Sequence, residues 1–183
     1  MKMIFKGDIM ILKGSNTEKN LEKALQGEAL AHLKYQFYRS KISNYSKEFE
    51  SRLDEIVHNE KEHGKIWFKL LHDGSVPDDK ENLLDAIAGE TEEHENMYPE
   101  FARVARSEGF NEIAELFEMV AEIEGNHAKD FSKMLKCIEN ETLFEDEKPV
   151  YWKCGNCGFY YLGQEPPEKC PVCAHPTKYF ARD

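Results

Sequence analysis

His58-Asn59-Glu60-Lys61-Glu62-His63-Gly64-Lys65-Ile66-Trp67 sets a glutamate and a histidine three residues apart on one face of a predicted helix. Followed backwards, that face meets Ile56 and Leu53; followed forwards, it meets Trp67 and Leu70. Steps of three and four alternate along it, the period of a helical stripe turned towards a core. Charged side chains on such a stripe are unfavourable unless something neutralises them. A metal ion would do so for Glu60 and His63.

Outward from this stretch, three more helical segments carry stripes of the same kind. The first is expected from about Thr17, read as its N-cap, to about Ser43, with Leu21, Leu25, Glu28, His32 and Tyr35 facing inwards. The second, from about Ser46 to Leu71, contains the opening stretch and ends at the breaker His72-Asp73-Gly74-Ser75-Val76-Pro77-Asp78-Asp79. The third begins near Lys80 and carries Leu83, Ala86, Glu90, Glu93, Met97, Phe101 and Val104, with a bend expected at Pro99 and an end at Gly109. The fourth runs from about Asn111 to Glu139 with Ile113, Phe117, Val120, Glu124, His127, Phe131 and Met134 on one face.

The polar members of these stripes are Glu28, Glu60, His63, Glu90, Glu93, Glu124 and His127. Helices two and four each carry Glu-x-x-His, and helices one and three each carry a glutamate 32 or 34 residues upstream of it. The pattern is an internal repeat of two helical hairpins. One Glu from each of two helices and Glu-x-x-His from each of the other two form the ligand set of a carboxylate-bridged di-iron centre in a four-helix bundle. Mixed carboxylate and imidazole suit iron or manganese better than a soft metal. A single Glu-x-x-His more often marks a solvated face, but two at matching places on apolar stripes do not fit that reading.

The 183 residues allow one medium domain and a small one. A formal charge of -11 without a basic stripe argues against nucleic-acid binding. No apolar run is long enough to span a membrane. Residues 1–12 lack a signal peptide's long apolar region and cleavage site, so a cytoplasmic protein is expected; Met10 is an alternative start. Residues 1–14 read as an extension, 15–139 as the helical domain, 140–149 as an acidic linker and 150–183 as a small second domain.

That last segment holds Cys154-Gly155-Asn156-Cys157-Gly158 and Cys170-Pro171-Val172-Cys173-Ala174. Four thiolates on two such knuckles make a tetrahedral site for zinc or for one iron. Zinc would make it structural and iron would make it a one-electron carrier. Tyr151, Trp152, Tyr160 and Phe180 are expected to form its miniature core.

Added to Leu12-Lys13-Gly14-Ser15-Asn16-Thr17-Glu18-Lys19-Asn20, Gly27-Glu28, Gly89-Glu90-x-x-Glu93, Met97-Tyr98-Pro99 and the two Glu-x-x-His pairs, these cysteines make the chain resemble a rubrerythrin from Leu12 onward. The resemblance implies an all-α, ferritin-like four-helix bundle with a C-terminal rubredoxin-like domain. It implies a mononuclear iron, rather than zinc, on Cys154, Cys157, Cys170 and Cys173. It also implies a peroxidase activity: hydrogen peroxide is reduced to water, with electrons entering from a reduced donor, of reductase or rubredoxin type, through the four-cysteine iron. Glu93 stands where this family adds a seventh ligand that bacterioferritin-like storage proteins lack. By the same resemblance one iron exchanges Glu93 for His63 on reduction, Glu60 bridges, and Tyr35 and Tyr98 hydrogen-bond ligand carboxylates.

The family's expected assembly is a homodimer. In the resembled bundle the second and third helices run parallel, so residues 72–79 would have to return about 27 Å along the axis. Fully extended they reach only about 26–29 Å. An exchange of helical hairpins between subunits is therefore expected, each di-iron site drawing on two chains. The competing functional readings are a ferritin-like iron oxidase or storage protein, which needs no appended electron port, and a plain electron carrier, which needs no buried carboxylates. His32 is placed inward as a core or channel histidine; His58, His72, His94 and His175 are assigned to solvent or loops, and Cys137 to a small semi-buried role. Gly125-Asn126, between Glu124 and His127, is poor helix material.

Overall fold

The computed structural model describes residues 12–42 and 44–183. The expected extension at 1–14 falls largely outside them. Helix α1 spans Asn16–Ile42 and α2 Lys47–Leu71; α3 spans Asp79–Glu92, continues through a π-helical turn at Glu93–Met97 and resumes as α4, Tyr98–Ser107; α5 spans Asn111–Glu139. The four expected helical segments are all present, the third as the continuous run from Asp79 to Ser107. Two compact units divide the chain, one ending at Pro77 and the other beginning at Asp78.

Local chemistry sets the helix ends. Ser46 accepts from the Phe49 amide (3.1 Å), and Asp78 accepts from the Glu81 amide (2.9 Å). The cap of α1 is Ser15, not Thr17: its hydroxyl accepts from the Glu18 amide (3.0 Å), while Glu18 reaches back to the Gly14 amide (2.5 Å). Glu18 sits three residues after Ser15, the spacing of a capping box, and that is why the earlier serine wins. Pro99 closely follows the π turn, and its missing N–H removes one bond from the continuous run there. The register change comes from the π turn just before it, where the Tyr98 amide bonds the Glu93 carbonyl.

In the first unit α1 packs along α2, and Arg39 joins them through Asp54 and Glu50. In the second, α4 meets α5 on small residues: Ala102, Ala105 and Ala114 are buried, with Phe117 against them. Tyr98 and Phe101 stack around Phe117 at 6.0 and 5.6 Å. Small residues let the helix backbones approach, and the aromatics fill the space beside them.

The C-terminal ribbon is a three-stranded antiparallel sheet in the order β2-β1-β3, from Tyr160–Gly163, Val150–Cys154 and Phe180–Arg182. Its core is Trp152, Cys154, Cys170 and Phe180. Tyr151 and Tyr160, expected in that core, are 56% and 45% exposed and pack edge-to-face on the outside instead. Alternation along a strand explains this: Trp152 points in, so its neighbour Tyr151 points out. Trp152 donates its indole N–H to the Gly163 carbonyl (3.0 Å), and the Arg182 guanidinium covers its ring at 4.8 Å. The acidic segment before the ribbon is fastened to it: the Asp146 amide bonds the Gln164 carbonyl (2.9 Å), and Phe144 packs beside Trp152.

Candidate metal centres

Helices α1 and α2 bring Glu28, Glu60 and His63 together, with one ligand atom of each within 4.8 Å of the others. His63 Nδ1 lies 3.5 Å from Glu60 Oε2 and 3.7 Å from Glu28 Oε2. The second unit repeats the arrangement with Glu90, Glu124 and His127; there Nδ1 lies 2.6 Å from Glu124 Oε2 and 3.5 Å from Glu90 Oε2. Every carboxylate is at most a quarter exposed, whereas both imidazoles are half exposed. The duplication read from the sequence is thus a duplication of geometry.

Crowded carboxylates perturb one another. A hydrogen bond from Glu60 holds Glu28 below the usual carboxylate range, against burial and with help from Trp67 and His63. Glu60 is raised by the same hydrogen bond, then by burial and the charge of Glu28. In the metal-free chain the two carboxyls titrate as a coupled pair in which Glu60 takes up a proton more readily than Glu28.

Glu93 lies outside the 4.8 Å group. Its carboxyl is raised by burial, then by Glu124 and Glu90, so it is within electrostatic reach of the second triad. The Tyr98 phenol is raised by burial, then by Glu93, Glu124 and Glu90, and so keeps its proton beside them. Tyr35 is half-buried on α1 with its ring 5.8 Å from that of Tyr38.

Two donors about 2.1 Å from one ion are at most about 4.2 Å apart, so each triad needs only a slight closure to hold a metal. Carboxylates and a neutral imidazole form a hard-to-borderline donor set, which fits iron. In the ribbon, Cys154 Sγ lies 3.7 Å from Cys173 Sγ and Cys157 Sγ lies 3.6 Å from Cys170 Sγ. A tetrahedron with metal–sulfur bonds of about 2.3 Å has edges of about 3.8 Å, so the four sulfurs already stand at coordination distance and not at disulfide distance.

Several residues have roles that the pattern of stripes did not assign. Trp67 donates its indole N–H towards Glu28 (3.5 Å). His94, assigned to solvent, is half-buried and donates to the Ala121 carbonyl (2.7 Å). The inward His32 donates to the Val57 carbonyl (2.8 Å). Gly125 is explained by His94, whose ring occupies the place of a Cβ. His72 stacks on Phe68 and His175 packs edge-on against Tyr179. The signal that could have found His94 is the repeat itself, because Glu28-x-x-x-His32 matches Glu90-x-x-x-His94.

Paired carboxylate–imidazole triads on duplicated helical hairpins, followed by a four-cysteine ribbon, define an iron-binding helical protein with a built-in electron-transfer domain. The rubrerythrin family profile matches residues 19–135 and 81–152, and the profile of the rubrerythrin rubredoxin-like domain matches residues 152–181. Rubrerythrin of Clostridium perfringens is 40% identical over 92% of this chain and 95% of its own length. Rubrerythrin-1 of Clostridium acetobutylicum is 37% identical over the same shares, and rubrerythrin of Nitratidesulfovibrio vulgaris is 37% identical over 92% of this chain and 95% of its own.

The chain belongs to the rubrerythrin family. Membership brings a di-iron site of carboxylate and histidine ligands and an oxidoreductase function of the oxidative-stress type. The rubredoxin-like domain brings an electron-transfer role with redox partners. Among the described residues no helix is long and apolar enough to cross a membrane.

Proposed function

We propose that the chain is a cytoplasmic peroxidase that reduces hydrogen peroxide to water, H2O2 + 2H+ + 2e− → 2H2O. The ligands are Glu28, Glu60, His63, Glu90, Glu93, Glu124 and His127 for a di-iron centre within residues 15–139, with 140–149 as linker. Cys154, Cys157, Cys170 and Cys173 hold the electron-entry iron in residues 150–183. The observation that carries this reading is the union in one chain of two carboxylate–imidazole triads with a preformed tetrahedral sulfur site.

Bound iron supplies two one-electron equivalents and Lewis acidity, which match the demand of one O–O bond. The side chains do the remaining work. Glu60 and Glu28 bring paired negative charge that compensates a dication pair, and Trp67 orients Glu28. His63 and His127 lie on the exposed side of each triad, where a small oxidant can approach. Tyr98 keeps its phenolic proton next to Glu93 and is braced by Phe101 and Phe117, so its hydroxyl is a fixed hydrogen-bond donor at the site. Tyr35 is its counterpart on α1.

Anaerobic stopped-flow separates this from an iron oxidase or storage reading. The fully reduced chain is mixed with peroxide or with oxygen; faster oxidation by peroxide supports the peroxidase, and faster oxidation by oxygen overturns it. A reductase or a reduced rubredoxin is the expected donor.

The protein is proposed to act as a homodimer with exchanged hairpins. Two observations support this. The connection between Leu71 and Asp79 is curled: the Gly74 amide bonds the Lys69 carbonyl (2.6 Å), the Ser75 amide bonds the His72 carbonyl (3.1 Å), and Asp73 and Gly74 have positive φ. A curled segment reaches less than the about 26–29 Å of a fully extended one, against the return of about 27 Å that one chain would need. The first unit also buries only Val57 and Gly64 among its described helical residues and exposes Leu30, Leu33 and Phe37, a face that a second copy would cover. Co-expression decides it: a chain with Glu28→Ala and Glu60→Ala is paired with one carrying Glu124→Ala and His127→Ala. Exchange yields one intact centre per heterodimer and restores activity; no restoration rejects exchange.

A further inference from the structure

The two hairpins match beyond their metal ligands. His32, one turn after Glu28, donates from Nδ1 to the Val57 carbonyl (2.8 Å), three residues before Glu60; its Nε2 accepts from Gln36 (3.0 Å). His94, one turn after Glu90, donates from Nδ1 to the Ala121 carbonyl (2.7 Å), three residues before Glu124. Each imidazole crosses from one helix of its hairpin to the backbone of the helix bearing Glu-x-x-His. Only the second does so in a seat made to fit. A Cβ on Gly125 would lie 2.8 Å from His94 Nδ1 and 2.9 Å from Cε1, so the ring rests directly on the glycine backbone. Lys61 holds that position in the first hairpin.

The second hairpin also contains the π turn, and His94 is its second residue. A π turn has poorer local geometry than an α turn and survives where tertiary contacts hold it. Helix α4 is fixed to α5 by Ala102, Ala105 and Ala114. Were the turn to relax, the residues free to rotate would be those between Glu90 and Tyr98, by about 100° for each residue of register. Glu93 is among them. The unbroken α1 has no such turn and carries Ala31 at the matching position.

We propose that His94 is a positioning residue: its bond to the Ala121 carbonyl and its seat on Gly125 hold the π turn at Glu93–Met97 and so keep the Glu93 carboxylate turned towards Glu90 and Glu124. His32 fastens its own helix pair in the same way but positions no added ligand. The inference rests on Glu93 serving as a metal ligand.

The test uses the full chain with one equivalent of zinc in the four-cysteine site, titrated with Co2+ and followed by its d–d absorption. Exchange of the Tyr98 amide is measured separately by hydrogen–deuterium exchange. Glu93→Gln and His94→Ala should weaken cobalt binding alike, by about 10- to 100-fold, with the same band change. The double variant should lose no more than either alone. His94→Asn, whose amide can reach the Ala121 carbonyl, should recover most of the loss, and Gly125→Ala, which displaces the ring, should resemble His94→Ala. Tyr98 amide exchange should rise by about tenfold or more in His94→Ala and Gly125→Ala, but not in Glu93→Gln. If Glu93→Gln changes the spectrum and His94→Ala does not, or if their effects multiply, this inference falls alone. If Glu93→Gln leaves the spectrum unchanged, the ligand reading falls and takes the inference with it. Should His94→Ala fail to fold, parent-like cobalt binding by Gly125→Ala would overturn the inference.

Discussion

The indole nitrogen of Trp67 lies 3.5 Å from Oε1 of Glu28, joining ring and carboxylate across the first hairpin. The matching place in the second hairpin is Phe131, which has no polar atom. Trp67→Phe therefore gives the first triad the surroundings of the second. Glu28 would lose a donor that helps keep its carboxyl below the usual range. At 3.5 Å the bond is long, so anaerobic Fe2+ titration should show a loss of about 3- to 10-fold, at or below the low end for groups that orient ligands. An unchanged affinity would reduce Trp67 to packing.

Glu60→Ala removes the carboxylate proposed to bridge the irons and takes from Glu28 the hydrogen bond that lowers it most. Iron occupancy and peroxide turnover should both fall. His63→Ala should spare the oxidised centre and slow turnover, since the resemblance gives His63 a role only in the reduced state. Normal turnover in His63→Ala would remove the exchange of Glu93 for His63 from the mechanism.

In the metal-free chain Glu93 has a sign that can be measured. Burial and the charges of Glu124 and Glu90 raise its pKa on folding. A carboxyl raised in this way favours the folded state below its unfolded pKa, and that contribution is lost as pH rises through the folded value. Glu93→Gln, which mimics the protonated form, should raise the thermal midpoint of the apo chain near neutral pH. The gain should vanish as pH falls into the ordinary carboxylate range. A gain that persists at low pH would contradict the assignment.

The ribbon thiols should differ in reactivity once the metal is removed. The His175 amide, with Cys157, Asn156 and Cys170 adding to it against burial, lowers Cys173 to about 6. The Phe159 amide favours the Cys157 thiolate, but burial and the other three cysteines outweigh it and push Cys157 up to about 12. Limited iodoacetamide treatment of the reduced apo chain at neutral pH should label Cys173 before Cys157, although Cys157 is the more exposed. Mass spectrometry of the two peptides reads the order directly.

Much of the molecule was legible as pattern. The Glu-x-x-His pairs, their upstream glutamates and the four cysteines are spaced by the helix and the knuckle, so residue spacing alone brings them together. The starts of the second and fourth helices near Ser46 and Asn111 were legible from the breakers before them, and the structure begins them at Lys47 and Asn111. The π turn was not legible, because Glu90, Glu93, Met97, Phe101 and Val104 follow at steps of three and four, which an unbroken helix also gives. His94 was legible only through the repeat, since it stands four residues after Glu90 as the inward His32 stands after Glu28. Gly125 could not be explained until a ring from another helix was known to lie on it. In the ribbon, composition gave the core residues but not their alternation, and so Tyr151 and Tyr160 were placed inside.

Ala31 and Glu93 occupy the same position in the two copies of one hairpin, and only the second copy carries the π turn. A faithful duplication would produce a centre with two indistinguishable ends. With Glu93 as a ligand, as proposed, one end would offer three side-chain ligands and the other four, one of them on the π turn. On that proposal the two metal positions would differ in charge, and electrons that reach them need not find equivalent destinations.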